Sequence, residues 1–416
     1  MEYFSGAISL RYIFSHYWSA YCNWYTGEIR ESVIENVRKI LACRTFLLGY
    51  HLYECPRCSS VRFIPHSCKS RFCSSCGKIA TDRWSDERLS DILPVEYHHL
   101  VFTLPWQLRK ICLLNRKIMF DLLFLAVAHS IMSWTKEFAG YQAGIYIVLH
   151  TFGSDLKFNP HFHVIVTAGG LSLDSKKWIS APQGFLMPEK GLKKRWKFNV
   201  IKSIIARNNA GLLEMPFLKK QDNYLNLRGV VSAISKLNWY IFIGARLLVV
   251  GMTVKYIGRY TKRPVISETR ILRCDRKWVV FRFKDYADGG KSSTKKMRLF
   301  TFITYLIKHI PDKNFRIVRG YGLFSNRLKG ELLPQARILL GQDSQIEEIS
   351  QPTWRERRTK ENGKDPLVCE NCSIEMQLIF VCYGPNYESY GYLKKLGISM
   401  NERIPNKQFK LYDDSG

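Results

Sequence analysis

The distribution of apolar and polar positions divides the chain into a helical start, a stretch without periodicity and a longer mixed region. Apolar residues at helical spacing predict helices over residues 8–42, whereas residues 43–77, rich in Cys, Ser, Pro and Arg, predict loops. From about Pro94 onwards, runs typical of strands and of helices alternate. The pattern there predicts strands at 97–104, 144–151, 161–167, 271–275 and 279–283, and helices at 112–134, 231–262 and 302–309.

Two of the predicted strands, 144–151 and 161–167, are separated by about ten residues and could pair as a hairpin with a long tip. A basic stretch at 190–207 follows them. The C-terminal part contains a charged linker at 354–360 and ends in a polar tail. The sequence shows no internal repeat of fixed period.

Composition and charge narrow the class of protein. The chain has 416 residues, which is too long for a small disulfide-stapled domain, and its 46% hydrophobic content excludes disorder as the dominant state. Its 63 Lys and Arg against 35 Asp and Glu give a charge of +28, for which nucleic acid is the first candidate partner.

The longest apolar runs, 122–128 and 247–254, are much shorter than the roughly 18 residues of a membrane span, and no signal peptide opens the chain. We therefore expect no membrane partner and a bacterial cytoplasmic location.

The cysteines form the clearest candidate metal site. Seven of the 12 lie in the first 76 residues, which favours metal ligation over disulfides. Two C-x2-C knuckles, separated by 14 residues, predict one structural Zn²⁺ site with four thiolates. The predicted ligands are Cys55, Cys58, Cys73 and Cys76.

Other Cys and His residues leave alternatives open. A second zinc site could be formed by Cys43, His51, His66 and Cys68, or these could be ordinary core cysteines and surface histidines. In the C-terminal part, the pair Cys369 and Cys372 is half a site, to which Cys382 could add a third thiolate.

A second kind of metal site is indicated by His161 and His163. Strand alternation places both imidazoles on one face, where they could hold one divalent cation with positions left open for substrate. The alternative is a pair of hydrogen-bonded core histidines. The adjacent pair His98 and His99 is a poor chelate, because neighbouring residues of a strand point to opposite faces.

Tyr256 and Tyr260 are candidate nucleophiles. They are four residues apart on a predicted helix, so both phenols lie on one face, although an aromatic stripe packed on the core would give the same spacing. Basic residues surround them and favour contact with phosphate, namely Lys255, Arg259, Lys262 and Arg263.

The basic stretch at 190–207 offers a second candidate DNA contact. Lys194 and Arg195, with Trp196 and Phe198 beside them, could neutralise phosphates and stack bases, or they could belong to a solvated loop.

Several of these motifs, in this order, resemble the HUH-type, two-tyrosine rolling-circle transposases of insertion sequences, a family that includes the insertion-sequence common-region transposases. The resemblance runs over about residues 35–330. Its motifs are the cysteine knuckles, Leu93–Pro105, Leu149–Leu156, Asn159–His163 with Ala168–Leu171, Tyr256–Tyr260 with Lys262–Pro264, and His309–Lys313 through Gly322. One departure is Phe72, which stands where many members have histidine before the second knuckle.

The resemblance implies an α+β fold. It would consist of N-terminal helices and a zinc-binding domain over 1–90, an HUH endonuclease domain with a mostly antiparallel central sheet flanked by helices over 91–330, and a C-terminal region over 331–416. In that fold the histidine strand is central and the tyrosine helix lies beside it.

The resemblance also implies a mechanism. His161 and His163 would hold Mg²⁺ or Mn²⁺ against the scissile phosphate of single-stranded DNA, and Tyr256 or Tyr260 would form a 5′-phosphotyrosine bond. Asp155 and Glu96 are candidates for a third metal ligand. Transposon ends and target DNA would be the substrates, and host replication factors are candidate partners.

Two other functions would fit parts of the sequence. A rolling-circle replication initiator would use the same histidine pair and a tyrosine at a plasmid or phage origin. A non-catalytic zinc-finger DNA-binding protein would leave the paired histidines and paired tyrosines without a role. The cysteine region and the tyrosine pair together favour the transposase.

Overall fold

A computed structural model describes residues 8–182, 187–215, 227–247, 265–342 and 352–384, together with Ser399, Arg403 and residues 408–410. The helices are α1 (Leu10–Trp24), α2 (Glu31–Ala42), α3 (Ser74–Leu89), α4 (Arg109–Leu114), α5 (Arg116–Phe138), α6 (Glu189–Asn209), α7 (Leu227–Ser235), α8 (Leu299–Lys308), α9 (Lys329–Leu339) and α10 (Trp354–Asn362).

The strands belong to three antiparallel sheets. They are β1 (Tyr50–Glu54), β2 (Ser60–Pro65), β3 (Tyr97–Thr103), β4 (Tyr141–Phe152), β5 (Phe158–Ser172), β6 (Trp178–Ser180), β7 (Tyr240–Leu247), β8 (Ile271–Cys274), β9 (Trp278–Asp285), β10 (Lys291–Arg298), β11 (Val318–Gly322), β12 (Gln377–Cys382) and β13 (Gln408–Lys410). The largest sheet has the order β11-β4-β5-β3-β7, with β6 on β5. A second has the order β12-β1-β2-β13, and a third β10-β9-β8.

The strand β5 lies in the centre of the largest sheet, between β4 and β3, and both of its faces are covered. On one face, Phe162, Val164 and Val166 join the main core, which also contains the apolar sides of α5 and α6. On the other face, Ile165 packs in a separate cluster with residues of α3 and α9. An N-terminal core joins α1 and α2 to α8, to the sheet β10-β9-β8 and to four of the cysteines.

The structure confirms the α+β class, the N-terminal helices and the mostly antiparallel central sheet. The predicted hairpin is also present, since β4 and β5 are antiparallel neighbours joined by a turn at 153–157. Its strands are longer than predicted because both extend into the buried middle of the sheet.

Three predictions of local structure were wrong. Residues 240–247 form the strand β7 rather than a helix, because they pair with β3 along one edge of the sheet. The charged segment at 354–360 is not a linker but part of α10, which begins with a capping box at Thr353 and Glu356. Residues 50–54 and 60–65, predicted as loops, pair as the β1–β2 hairpin. The strand β10 at 291–298, opposite β9, was not predicted.

The helix α5 is long and apolar enough to cross a membrane. Its apolar residues are nevertheless used in the protein core, since Leu122, Leu123 and Phe124 are at most 1% exposed. We therefore interpret α5 as a core helix that packs on the largest sheet. A buried core helix can be as long and apolar as a membrane span.

Candidate metal centres and nuclease site

Three histidines meet on one face of the β4–β5 hairpin. His150 on β4 lies directly opposite His161 on β5, and His163 follows two residues later on the same face. Ligand atoms of all three imidazoles lie within 4.8 Å of one another, and Nδ1 of His150 is 3.3 Å from Nε2 of His161. The antiparallel register therefore builds a three-imidazole cluster from two strands.

Neighbouring groups orient two of these rings. His161 donates its Nδ1 hydrogen to the carbonyl of Asn159 at 2.7 Å, which leaves Nε2 to face the cluster. Nδ1 of His163 lies 3.0 Å from Nε2 of His99, and the two rings are stacked with an interplanar angle of 5°. Such hydrogen bonds on the remote nitrogen fix the tautomer and the direction of a metal-binding imidazole.

Burial keeps the cluster uncharged. Desolvation lowers the pKa of His163 to about 2 and lowers the pKa of His161. The pKa of His150 falls well below its ordinary value, first through desolvation and then through the nearby His161, His163 and His309. Neutral imidazoles at physiological pH are the form that ligates a metal ion.

The donor set fits a divalent transition cation. Imidazole nitrogens are common ligands of first-row transition metals, whereas Mg²⁺ prefers oxygen ligands, so three imidazoles favour a transition metal over Mg²⁺. Among the described residues, neither expected third ligand joins the cluster. Asp155 forms ion pairs with Lys157 at 3.2 Å and Lys295 at 3.7 Å. The third candidate metal ligand is His150.

His150 was missed by sequence reasoning, although a signal was present. The predicted hairpin of 144–151 with 161–167 already placed residue 150 near residue 161 across the two strands. The i, i+2 rule applies within one strand and therefore does not identify a partner on the neighbouring strand. By the same geometry, His99 reaches His163 whereas His98 lies on the opposite face, as the alternation rule requires.

The tyrosines and their basic neighbours lie outside the described residues. These are Tyr256, Tyr260, Lys255, Arg259, Lys262 and Arg263. The described chain resumes at Val265, which lines a small cavity of about 40 Å³ together with His150, Thr151 and His309. Val265 is five residues after Tyr260, and five residues can span at most about 18 Å.

The basic stretch at 190–207 belongs to α6, and its residues lie in different environments. Arg195 is engaged with α5, donating to Ser133 at 2.7 Å and to Glu137 at 2.8 Å. Trp196 is fully buried in the main core, so it cannot stack on a base. Lys194 instead borders a shallow apolar surface with Phe198, which is 62% exposed.

The structure corrects the expected grouping of the cysteines. Thiols of Cys43, Cys68, Cys73 and Cys76 form one cluster, with Sγ–Sγ distances of 3.5 Å from Cys43 to Cys73 and to Cys76. We call this the N-terminal thiol cluster. Four thiolates around Zn²⁺ at about 2.3 Å would be separated by about 3.8 Å, so the cluster fits zinc.

The expected zinc site of two C-x2-C knuckles is therefore wrong in its pairing. Cys73 and Cys76 begin α3, which docks at the end of α2 beside Cys43, whereas Cys55 and Cys58 lie at the turn of the β1–β2 hairpin. The latter two join a different cluster with Cys369 and Cys372.

The two histidines proposed for a second zinc site are also placed differently. His51 and His66 are not among the thiol clusters, since Nδ1 of His51 lies 3.0 Å from Nε2 of His66. His66 donates its Nδ1 hydrogen to the carbonyl of Leu48 at 2.9 Å. His51 lies on β1, and His66 directly follows the paired strand β2, so the hairpin brings the two rings together. Cys382 is not in either thiol cluster, and its Sγ lies 3.2 Å from the carbonyl oxygen of Gly384.

Two family models match the sequence. A model described as "Transposase zinc-binding domain" matches residues 13–104, which contain the N-terminal thiol cluster. A model described as "Putative transposase" matches residues 144–331, which contain the three-imidazole cluster and the tyrosine pair. No solved structure matches the chain.

Two curated proteins are similar over most of their length. The chain is 32% identical to "Transposase for insertion sequence element IS801" of Pseudomonas savastanoi pv. phaseolicola over 74% of each chain. It is 29% identical to "Putative transposase y4qJ" of Sinorhizobium fredii over 86% of this chain and 92% of that one.

Proposed function

This chain belongs to the IS91 family of insertion-sequence transposases, and from that premise we propose that it cuts and rejoins single-stranded DNA at the ends of its element by the rolling-circle route. The observation that carries the proposal is the cluster of three neutral imidazoles on the central sheet. A closed zinc site serves structure alone, whereas three imidazoles leave coordination positions open for a substrate. This arrangement favours an enzyme over a non-catalytic zinc-finger protein.

The chemistry assigned to the site is a phosphoryl transfer. A divalent cation held by His150, His161 and His163 would polarise the scissile phosphate and stabilise the charge that develops on it. The phenolic oxygen of Tyr256 or Tyr260 forms a bond to phosphorus, and the bond from phosphorus to the 3′ oxygen breaks. The leaving oxygen takes a proton and becomes a 3′-hydroxyl, while the 5′ phosphate stays on the tyrosine.

The second tyrosine allows strand transfer without hydrolysis. A 3′-hydroxyl that attacks the phosphotyrosine restores the phenol and rebuilds a phosphodiester, so the bond energy is conserved and no nucleotide cofactor is needed. The placement of Val265 beside the His150 cavity supports this assignment, because Val265 follows Tyr260 by five residues in the sequence. We place the reaction in the bacterial cytoplasm, where the element ends and the target DNA are found.

A basic groove beside the sheet edge offers a route for the DNA strand. It has a volume of about 650 Å³ and lies along β11, whose Val318 pairs with Val148, two residues before His150. Phe315 lines both this groove and the small cavity at His150, so the two are adjacent. The cations lining the groove are Arg88, Lys117, Lys313, Arg316, Arg319 and Arg327.

Not all of these cations are available to a phosphate. Arg319 forms an ion pair with Asp121 and stacks over Phe124. Lys117, Lys313 and Arg316 are exposed, which suits contact with a solvated backbone. Tyr321 and Phe315 add aromatic surface between the charges, as in other single-strand binding grooves.

Single alanine substitutions of Lys117, Lys313 or Arg316 are expected to weaken binding of single-stranded DNA. Each lost phosphate contact should reduce the slope of log K against log salt by about 0.7. Fluorescence anisotropy with a labelled oligonucleotide at several salt concentrations measures both effects. Lys136→Ala is the matched control, because Lys136 is exposed on the same helix, α5, about 28 Å further along. Equal slopes for Lys136→Ala and the three groove variants would exclude the groove as the binding route.

The covalent intermediate provides the test of the proposed reaction. Wild-type protein mixed with single-stranded DNA carrying an element end and Mn²⁺ should give a protein–DNA adduct that survives denaturation. Tyr256→Phe with Tyr260→Phe should abolish the adduct, because neither phenylalanine can form the bond to phosphorus. Denaturing gels with end-labelled DNA measure the yield and show which DNA end is retained. An adduct in the double variant, or its absence in wild type on both element ends, would contradict the proposal.

A further inference from the structure

The second group of four thiols joins a segment near the N-terminus to a segment near the C-terminus. Cys55 and Cys58 come from the turn of the β1–β2 hairpin, and Cys369 and Cys372 come from the turn between α10 and β12. All four sulfurs lie within 4.8 Å of one another, and the Sγ atoms of Cys58 and Cys369 are 3.7 Å apart across 311 positions of sequence. We call this group the terminal thiol cluster.

The two halves of the terminal thiol cluster have the same backbone geometry. The carbonyl of Cys55 accepts from the amide of Ser59 at 2.9 Å, and the carbonyl of Cys369 accepts from the amide of Ser373 at 2.9 Å. The amides of both leading cysteines donate to the carbonyl five residues later, at 2.9 Å and 2.8 Å respectively. Each half is therefore a hydrogen-bonded knuckle that presents two thiols to the same side.

A strained residue closes each knuckle at the same position. Ser59 has φ of 53° and Ser373 has φ of 55°, both in the left-handed region that non-glycine residues rarely adopt. The two segments, Cys55–Ser60 and Cys369–Ile374, share only the two cysteines and the serine that follows them. Repetition of one strained turn in two unrelated segments indicates that both are shaped for a common ligand.

Polar and backbone contacts hold the two knuckles together around the thiols. Arg62 is buried and donates to the carbonyl of Pro366 and to the carboxylate of Glu370, each at 2.7 Å. Asn371 donates to the hydroxyl of Ser60 at 3.2 Å and lies 4.0 Å from Sγ of Cys58. The strand β12 continues the frame by pairing with β1.

The apolar core beneath these contacts is small. Its buried members are Cys55, Cys369 and Met376, with Tyr53 and Ile374 packed at its side. Three buried residues remove too little apolar surface from water to hold a separate unit together, which is the usual situation of small metal-dependent modules.

We propose that Cys55, Cys58, Cys369 and Cys372 bind one Zn²⁺ that fastens the C-terminal segment to the N-terminal module. Four thiolates complete a tetrahedral shell and leave no open position, so the site is structural. Cys369 and Cys372 lie outside both matched family regions, 13–104 and 144–331. The inference is independent of the proposed DNA chemistry.

Zinc counting tests the proposal directly. Full-length protein purified in reducing buffer should contain about two Zn²⁺ per chain, one for each thiol cluster. Cys369→Ser with Cys372→Ser should contain one, whereas the control pair Cys22→Ser with Cys274→Ser, which removes two cysteines outside both clusters, should keep two. Elemental mass spectrometry against protein concentration gives the numbers.

Hydrogen exchange tests whether the proposed Zn²⁺ holds the C-terminal segment in place. In the Cys369→Ser, Cys372→Ser variant, the amides of β12 should exchange hydrogen faster than in wild type, while those of β9 and β10 should be unchanged. The proposal is overturned if wild type holds one Zn²⁺, or if the variant keeps two. It is also overturned if β12 exchanges at the wild-type rate after loss of the second ion, or if mass spectrometry of wild type finds a disulfide among these four cysteines.

Discussion

Replacing His150 by alanine is expected to lower the rate of single-strand cleavage at least about 100-fold. The variant removes one of three imidazoles that converge on the proposed catalytic cation, and loss of a single group that stabilises transition-state charge commonly costs about 10²–10³ in rate. The expected loss is comparable to that of His161→Ala or His163→Ala. Single-turnover cleavage of a labelled element end, with Mn²⁺ in excess, measures it.

Controls distinguish a lost ligand from a damaged fold. His129→Ala removes an exposed histidine of α5 and should cleave at the wild-type rate. His150→Ala should retain the zinc content and the single-strand affinity of wild type, because the thiol clusters and the basic groove are made by other residues. Wild-type cleavage by His150→Ala, alongside inactive His161→Ala, would remove His150 from the ligand set.

The contrast between His163 and His150 shows what sequence alone could predict of the site. Alternation along one strand is a local rule, so it placed His161 and His163 on one face without knowledge of any neighbour. The third imidazole depends on register between two strands, and a shift of one residue would have sent His150 to the opposite face. Register is set by the turn at 153–157 and by burial of the strand faces, which the periodicity of a single segment does not report.

The cysteines illustrate the same limit over longer distances. Spacing correctly identified knuckles at Cys55 and Cys73, but spacing within a knuckle does not say which knuckle shares its metal. The partner of Cys55 comes from a segment more than 300 residues later, brought there by β12 pairing with β1. Likewise, residues 240–247 were included in a predicted helix, although Tyr240, Ile241 and Phe242 favour a strand, and their pairing with β3 is a tertiary contact that the apolar pattern alone does not reveal.

The N-terminal thiol cluster also lies close to the proposed nuclease site. The loop between Cys68 and Cys73 carries Arg71 and Phe72, and both residues line the small cavity at His150. Phe72, which stands at the departure from the expected motif, is thus an apolar wall of this cavity rather than a ligand. A zinc ion that fixes Cys68 and Cys73 would hold this loop in place, so a structural metal would support the site of the reaction.

Cys73→Ser is therefore expected to cause two losses at once. Structural Zn²⁺ sites contribute about 10–16 kcal/mol to folding, which exceeds the stability of most domains, so the N-terminal core should lose its order. Hydrogen exchange should show rapid exchange in α1 and α2, while β4 and β5 remain protected by the main core. Cleavage should fall as well, because the Arg71–Phe72 loop is no longer held against the His150 cavity.

A serine substitution at a cysteine outside both thiol clusters is the control for Cys73→Ser. It shows whether loss of any thiol disturbs the protein or only loss of a zinc ligand. Cys22 is half-buried on α1 and belongs to neither thiol cluster, so Cys22→Ser should keep its zinc, its protection and its cleavage activity. If Cys73→Ser kept protected α1 and α2 after losing one Zn²⁺, the metal would not organise the N-terminal core. If it lost that core but cleaved DNA at the wild-type rate, the loop at Arg71 would have no part in shaping the nuclease site.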